Sequence, residues 1–248
     1  MKALSGSVLF ILLAVLPALA MALSPAELAQ IKATIAAQYD AVDDTMLSYA
    51  YRTHITIERP EHPTRTQLTD FDPQRPSGSK EQLLLVDQAP PEDSDLAEFK
   101  RRPQPDERET QRIRLLIDYD SLEPVTISDS AITFSFQPRL LVNGREDRDG
   151  RRFRGELTFD RHNQHLRQVR MHNTEAFTKL LFRVRGFEVD EHFVLAEGNL
   201  IRERYFHDMD LSNPLIDASN RISMTFAYPE PLQIGLYPDL YQQLDLLN

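Results

Sequence analysis

The residue types that carry most enzyme chemistry occur in this chain, but their spacing matches no catalytic motif. Cysteine is absent, which excludes thiol catalysis and disulfide bonds. No Gly-x-Ser-x-Gly elbow, P-loop or dinucleotide-binding glycine pattern is present. Paired carboxylates such as Asp43-Asp44 and Asp118/Asp120 are typical of turns and surfaces. The residues therefore favour a non-enzymatic protein without a cofactor, and a hydrolase whose carboxylates lie far apart in the sequence stays open.

Histidines are the natural candidates for metal ligands. His162 and His165 fall in a predicted turn, Asp160 precedes them, and His172 ends the next predicted strand. Imidazole and carboxylate groups are competent zinc ligands. No His-x-His or His-Glu-x-x-His pair occurs, so we interpret these side chains as solvated turn residues and predict no metal site.

An arginine-rich stretch between Arg139 and Arg170 is the most unusual polar feature. It holds nine arginines against five acidic residues, in a chain whose formal net charge is −10. Such arginines could contact anionic head groups or an acidic protein, or they could form a solvated strand face paired with nearby carboxylates. The candidate contact residues are Arg152, Arg154, Arg167 and Arg170. The acidic overall charge argues against a nucleic-acid partner.

These side chains need a scaffold, and the residues after position 152 indicate its type. Phe153, Gly155, Leu157 and Phe159 alternate with polar residues, which is the period-two pattern of a strand with one buried face. Similar segments, separated by turn signals, continue to residue 228. We predict a mainly β (α+β) fold, namely a strongly curved antiparallel half-barrel sheet with an N-terminal helix and small helices on its concave side.

The predicted elements begin with a helix. Ser24 and Glu27 form a capping box, and the apolar spacing that follows predicts a helix to about Gln38. Ser94 is predicted to cap a second, short helix, and Gly186 to mark a turn. The predicted strands are Met46–Glu58, Thr64–Phe71, Gln82–Asp87, Ile113–Ile117, Val125–Ser128, Ile132–Gln137, Arg152–Asp160, Leu166–His172, Phe177–Arg185, Glu188–Glu197, Leu200–Met209 and Arg221–Tyr228.

One face of this sheet is apolar and must be covered. Its candidate ligand-lining residues are Phe153, Leu157, Phe159, Val169, Met171, Phe182, Val184, Phe193, Leu195, Ile222, Met224 and Phe226. The N-terminal helix and the C-terminal arm could fill the concavity as a closed core. Alternatively, the helix leaves an apolar cleft for an acyl chain.

The first 22 residues are typical of a secretory signal peptide. A lysine at position 2 precedes an apolar stretch that ends at Pro17, and small residues place cleavage after Ala20 or Ala22. No later stretch is long and apolar enough to span a bilayer. We expect a soluble periplasmic protein without a transmembrane anchor. Residues 23–248 are predicted to form one domain, with a charged loop at about 101–110 and a C-terminal arm at 232–248.

The order of these features resembles that of a known class of proteins. An export signal, a capped helix, the strand Phe153–Phe159 with Gly155, and hairpins that end in Met224-Thr-Phe226 are similar to the Lol-type periplasmic lipoprotein carriers and related envelope-stress sensors. The resemblance covers most of the mature chain and is one of architecture. It implies a half-barrel fold and binding of a lipid or lipoprotein acyl chain.

A second, local resemblance concerns residues 71–99. Phe71-Asp72-Pro73, Leu83–Asp87, Pro90-Pro91 and Leu96–Phe99 look like a segment of a group of uncharacterised exported bacterial proteins. That resemblance implies a tryptophan near position 81 and a glycine at position 88. This chain has glutamate and glutamine there. The group implies no activity.

The leading hypothesis is non-enzymatic binding of an apolar moiety, a lipid or lipoprotein acyl chain, in the concave sheet. The first alternative is an envelope interaction or sensor module with a closed core, whose arginine face or tail contacts another envelope protein. The second alternative is an uncharacterised hydrolase. An open cleft under the helix would favour the carrier, and a filled core would favour the interaction module.

Overall fold

The N-terminal helix α1 spans Pro25–Met46 in a computed structural model that describes residues 23–102, 113–142, 144–179, 182–212 and 219–228. The predicted capping box is present, because Ser24 Oγ accepts from the Glu27 backbone N–H and the Glu27 carboxylate accepts from Ser24 N–H. The helix runs eight residues further than predicted. Val42 and Met46 prolong its buried stripe, so packing stabilises the added turns.

In the described part of the chain, fourteen strands and a second helix follow. The helix α2 spans Asp93–Phe99, and its first turn follows Glu92, so Ser94 lies within the helix and does not cap it. The strands are β1 Tyr51–Glu58, β2 Arg65–Phe71, β3 Glu81–Val86, β4 Ile113–Ile117, β5 Glu123–Ile127, β6 Ala131–Phe136, β7 Pro138–Val142, β8 Arg145–Asp147, β9 Phe153–Asp160, β10 His165–Asn173, β11 Phe177–Lys179, β12 Phe182–Ala196, β13 Asn199–Ser212 and β14 Asn220–Ala227.

Eleven of these strands form one antiparallel sheet. Its order is β3-β2-β1-β14-β13-β12-β10-β9-β6-β5, with β11 paired to β12. Among the described residues the sheet is open, because β3 and β5 end the order. Most neighbours are consecutive in the chain, but β1 pairs with β14, so the first hairpin joins the sheet beside its last strand. The predicted fold class, mainly β with a large open antiparallel sheet and an N-terminal helix, is confirmed.

One predicted turn is wrong, and two strands were not predicted. Gly186 is not a turn, because β12 continues through it and the register with β13 shifts between Val184 and Gly186. A glycine tolerates the irregular backbone of such a bulge. The strands β7 and β8 were not predicted, and they form a small second sheet in the order β4-β7-β8. Pro138 is tolerated there because it is the first residue of its strand.

The main core lies between α1 and the large sheet. Ile31, Ile35 and Val42 of the helix pack with buried residues of β6, β9, β10, β12 and β13. We call the sheet face that α1 covers the inner face. Gly155 belongs to it, and a Cβ atom there would lie 2.1 Å from the Phe136 ring. Gly155 was predicted to lie on the apolar face. Only glycine fits there, because the Phe136 ring occupies the space that a side chain would need.

Helix α2 covers the other end of the inner face. Phe99 packs with Leu83 and Val86 of β3. Residues that pair directly on neighbouring strands lie on the same face of a sheet. Leu83 of β3 pairs with Thr69 of β2, which pairs with Thr53 of β1. Both helices therefore pack on one side of the sheet. Most of the predicted 101–110 loop and the whole 232–248 arm lie outside the described residues, as does the 1–22 segment.

Candidate ligand-binding site

The predicted lining residues fall into separate groups. Leu157, Phe159, Val169, Met171 and Phe193 belong to the core under α1 and are at most 4% exposed. These side chains contact the helix and one another. A ligand could reach them only if α1 moved away.

The remaining lining candidates lie elsewhere. Phe153 and Val184 are buried in a cluster with Leu140 of the second sheet. Leu195 is 36% exposed near the tip of the β12–β13 hairpin. Phe182 begins β12. Ile222, Met224 and Phe226 line β14, where they are half-buried.

The four candidate contact arginines all have partners within the protein. Arg152 pairs with Asp149 at 3.2 Å and with Glu175 at 2.5 Å. Arg170 pairs with Glu188 at 2.7 Å. The other two are Arg154, bound to the Gln137 side chain at 2.5 Å, and Arg167, 3.9 Å from Asp160. Arg152 and Arg170 therefore fit the solvated, paired strand face, and exposed pairs of this kind add little stability. Arg154 binds an amide and backbone carbonyls and not a carboxylate.

The histidine turn has a structural explanation. The Asp160 carboxylate accepts hydrogen bonds from the backbone N–H groups of His162 and Asn163, both at 2.9 Å. Burial opposes ionisation of Asp160, but these two hydrogen bonds, together with the His165 charge and the Asn163 side chain, lower the pKa of the carboxyl. In the described part of the chain, no three His, Asp or Glu side chains come together in a way that could hold a metal ion.

Arg202 forms an ionic connection between α1 and the sheet that sequence reasoning missed. Its Nε donates to Glu191 Oε2 at 3.0 Å, and its Nη2 lies 3.1 Å from Asp43 Oδ1. Burial alone would lower the pKa of Arg202, but the carboxylates of Glu191 and Asp43 raise it. Glu191 and Arg202 lie on the two strands of one hairpin, but Asp43 is far from both in sequence, so no local pattern indicated its contact. The cluster fixes α1 on β12 and β13.

Beyond Arg202, the inner face continues past the reach of α1. Directly paired residues of β1, β14, β13 and β12 form rows that run across the sheet. The middle row consists of Ile57, Ile222, His207 and Val189. Val189 also pairs with Met171 of the α1 core, so the row shares the inner face.

Two neighbouring rows complete this surface. On the α1 side lie Ile55, Met224 and Tyr205, and on the far side lie Asn220, Met209 and Phe187. We call the three rows together, Ile55, Ile57, Phe187, Val189, Tyr205, His207, Met209, Asn220, Ile222 and Met224, the open trough.

The open trough differs from the core in what covers it. None of the apolar clusters that the described residues form around α1 or α2 includes Ile57, Met209, Ile222 or Met224. All four side chains are half-buried. Rows along a strand are about 7 Å apart, so the trough is about 14 Å long. It is an apolar surface of the size that a hydrocarbon chain can occupy.

Two polar atoms in the open trough have no hydrogen-bond partner. His207 Nε2 and Asn220 Oδ1 are both closed to solvent and unpaired. Burial lowers the pKa of His207, and the Asp208 carboxylate opposes that shift. Each unpaired buried group costs about 1–3 kcal/mol relative to a paired one. The sequence offered no sign that His207 differs from the other histidines, because the feature depends on its partners across three strands.

A separate cavity lies beside α2. It has a volume of about 510 Å³ and is lined by Arg65, Asp87, Glu92, Asp95 and Glu98, among others. Arg65 pairs there with Asp95, and with Glu98 at 3.1 Å. The cavity is mainly polar, with Val86, Ala89 and Pro90 as its apolar lining, and its basic group is already paired. An acyl chain would therefore contact more polar than apolar wall.

Comparisons with protein-family models, with curated proteins and with solved structures find no match to this chain. The described helices include none with the length and apolar character needed to cross a membrane.

Proposed function

We propose that this protein is an exported, periplasmic binding protein that holds an apolar moiety, a lipid or lipoprotein acyl chain, in the open trough. The observation that carries the proposal is that half-buried Ile57, Met209, Ile222 and Met224 continue the inner face beyond both helices. The Lol-type resemblance of the sequence points to the same class of ligand. The protein's role is binding, and no chemical step is assigned to it.

The energetics of an acyl chain suit such a surface. Each CH₂ group removed from water contributes about 0.8 kcal/mol. The three rows present aliphatic, methionine and aromatic side chains, and unbranched Met209 and Met224 can adapt to chains of different shape. The core under α1 is already filled and offers no comparable space.

Two substitutions on neighbouring residues of β14 test the proposal. Met224→Trp places a large side chain in the trough, and Thr225→Trp places the same side chain on the opposite face of the strand. Displacement of a fluorescent fatty acid should show binding to the wild type and to Thr225→Trp, with roughly tenfold or greater loss in Met224→Trp. Native mass spectrometry of protein isolated from cells should show a bound lipid. Protein that is always empty and binds no probe would contradict the proposal.

Export is tested separately. The mature protein should be recovered from the periplasmic fraction with an N-terminus at Met21 or Leu23, for cleavage after Ala20 or Ala22. An intact N-terminus in a cytoplasmic fraction would remove the periplasmic part of the proposal.

The filled core under α1 favours a second candidate, an envelope interaction module. Its contacts would involve the arginine face, so the double variant Arg152→Glu/Arg154→Glu should abolish capture of a purified envelope partner. The carrier proposal expects that variant to bind lipid as the wild type does. The carrier candidate alone predicts a loss of lipid binding in Met224→Trp, and the module candidate alone predicts a loss of partner capture in the arginine variant.

A further inference from the structure

A second cavity lies at the hairpin between β1 and β2, which we call the hairpin cavity. It has a volume of about 270 Å³, and its lining includes Ile57, Arg59, His62, Arg65 and Asp87. Arg59 and His62 belong to the turn between the two strands and are exposed, so solvent and ligands can reach them. Pockets that enclose whole small molecules measure about 300–1,000 Å³. The hairpin cavity is therefore of a size for a head group and not for a whole lipid.

Ile57 connects the hairpin cavity with the open trough. It lines the cavity, and it also pairs with Ile222 in the middle row of the trough. Arg65 pairs with Ile57 from the other side, so it lies on the inner face at the end of the same row. The row from Ile57 to Val189 crosses three strand spacings, about 14 Å. A ligand whose head group occupies the cavity can therefore extend an apolar chain along this row.

The basic side chains of the hairpin cavity favour an anion. Arg59 has no ion pair with any residue that the structure describes. Arg65 is paired, and its partners Asp95 and Glu98 line the cavity beside α2 and not this one. These two carboxylates compensate Arg65, so Arg59 supplies the charge that a ligand can pair with. His62 adds a hydrogen-bond donor next to it.

One acidic residue opposes an anion in the hairpin cavity. Asp87 is the only carboxylate of its described lining. Its Oδ1 accepts from the Thr66 backbone N–H at 2.6 Å and from the Thr66 hydroxyl at 3.4 Å, so it has partners within the protein. Two arginines against one aspartate leave the lining with a net positive formal charge even when His62 is neutral.

We infer that the ligand of the open trough is a single-chain amphiphile with an anionic head group, a carboxylate or a phosphate ester, that binds Arg59 and His62 in the hairpin cavity. Its chain runs along the middle row of the trough. Arginine suits both head groups, because its planar guanidinium donates paired N–H groups to carboxylate and phosphate oxygens. The inference rests on the proposed function, because it specifies the head group of the ligand that the trough would hold.

A set of ligands with one chain length and different head groups tests the inference. Each ligand displaces an uncharged fluorescent alkyl probe from the full-length mature protein, below its micelle concentration and at pH about 7.5, where laurate is an anion and dodecylamine a cation. Laurate and dodecyl phosphate should bind roughly five- to tenfold more tightly than dodecanol, and dodecylamine should bind most weakly. A preference for only one of the two anions would support the inference and identify the head group.

Other results of the same experiment would count against the inference. If neither anion binds more tightly than dodecanol, the inference is overturned and the proposed function is left intact. Displacement of the probe by inorganic phosphate at constant ionic strength would show a site for a free anion and would overturn it as well. Absence of binding by every ligand would overturn both the inference and the proposed function.

Variants of the exposed turn give a second readout. Arg59→Gln/His62→Gln should keep the affinity for dodecanol and reduce the preference for laurate over dodecanol to below roughly twofold. Arg59→Glu should reverse the order, so that dodecylamine binds more tightly than laurate. Arg52→Gln is the matched control, because it removes a positive charge from the same strand on the outer face, where Arg52 pairs with Asp70 at 3.4 Å. The control should leave the preference unchanged, and a full preference in the double variant would overturn the inference.

Discussion

The two regions of the inner face are built from the same kinds of strands but differ in what completes them. In the covered region, Leu157 and Phe159 meet α1 and are fully buried. In the open trough, Ile222 and Met224 follow the same alternation and stay half-buried. A period-two apolar pattern therefore indicates that one face of a strand is apolar and is removed from solvent. The pattern does not indicate whether a helix or a ligand covers that face.

The largest expected difference between the regions is in stability. Phe159→Ala should lower the free energy of unfolding by about 3–5 kcal/mol, because it leaves a cavity in a packed core. Met224→Ala should cost below about 1.5 kcal/mol, because its side chain already contacts solvent. Guanidinium denaturation of both variants measures the contrast. Equal losses would show that the trough is part of the core.

The contact at Arg202 marks the boundary between the two regions. Arg202→Leu should cost about 3 kcal/mol, since it leaves Glu191 buried without its partner. Arg202→Leu/Glu191→Leu should recover most of that loss in the same denaturation experiment. A double variant as unstable as the single one would mean that Arg202 acts through packing and not through charge.

Acid titration compares one histidine at the edge of the covered core with one in the trough. Burial lowers the pKa of both His165 and His207, while Asp160 and Asp208, respectively, oppose the shift. Below pH about 6.5 the unfolded chain binds more protons than the folded chain. The stability that comes from the neutral histidines is therefore complete above that pH and is lost as the pH falls.

Melting temperatures measured from neutral pH to pH about 5 should fall less steeply in His165→Asn and in His207→Asn than in the wild type. A slope that neither substitution changes would assign the acid sensitivity to other groups.

The smallest effect is expected outside both regions, in the turn after β3. Asp87 and Gln88 have φ values of 49° and 65°, and Val86 and Ala89 exchange backbone hydrogen bonds across them. A glycine at position 88, which the local resemblance implies, would adopt this backbone conformation without strain. Gln88→Gly should raise the free energy of unfolding by about 0.5–1 kcal/mol, because glycine adopts positive φ without strain. Gln88→Ala, which keeps the strain, is the control, and an equal gain in both would contradict this explanation.

The locally encoded features were predictable from neighbouring residues. Ser24 and Glu27 are three positions apart, and the alternation from Phe153 to Phe159 involves a single strand, so each pattern needs only short-range geometry. The end of α1 was missed because its last turns are stabilised by contact with strands that come later in the chain. The bulge at Gly186 was taken for a turn, because a glycine in a sequence is typical of both.

The sequence by itself determined the fold class, the capped helix and the alternation that gives the sheet its apolar face. Only the tertiary structure decided which part of that face α1 covers, which residues remain in the open trough, and that Arg202 joins Glu191 to Asp43. The reason is the range of the interactions. Alternation depends on adjacent peptide units, whereas β1 meets β14 across most of the chain, and His207 acquires its surroundings only when four strands align in register.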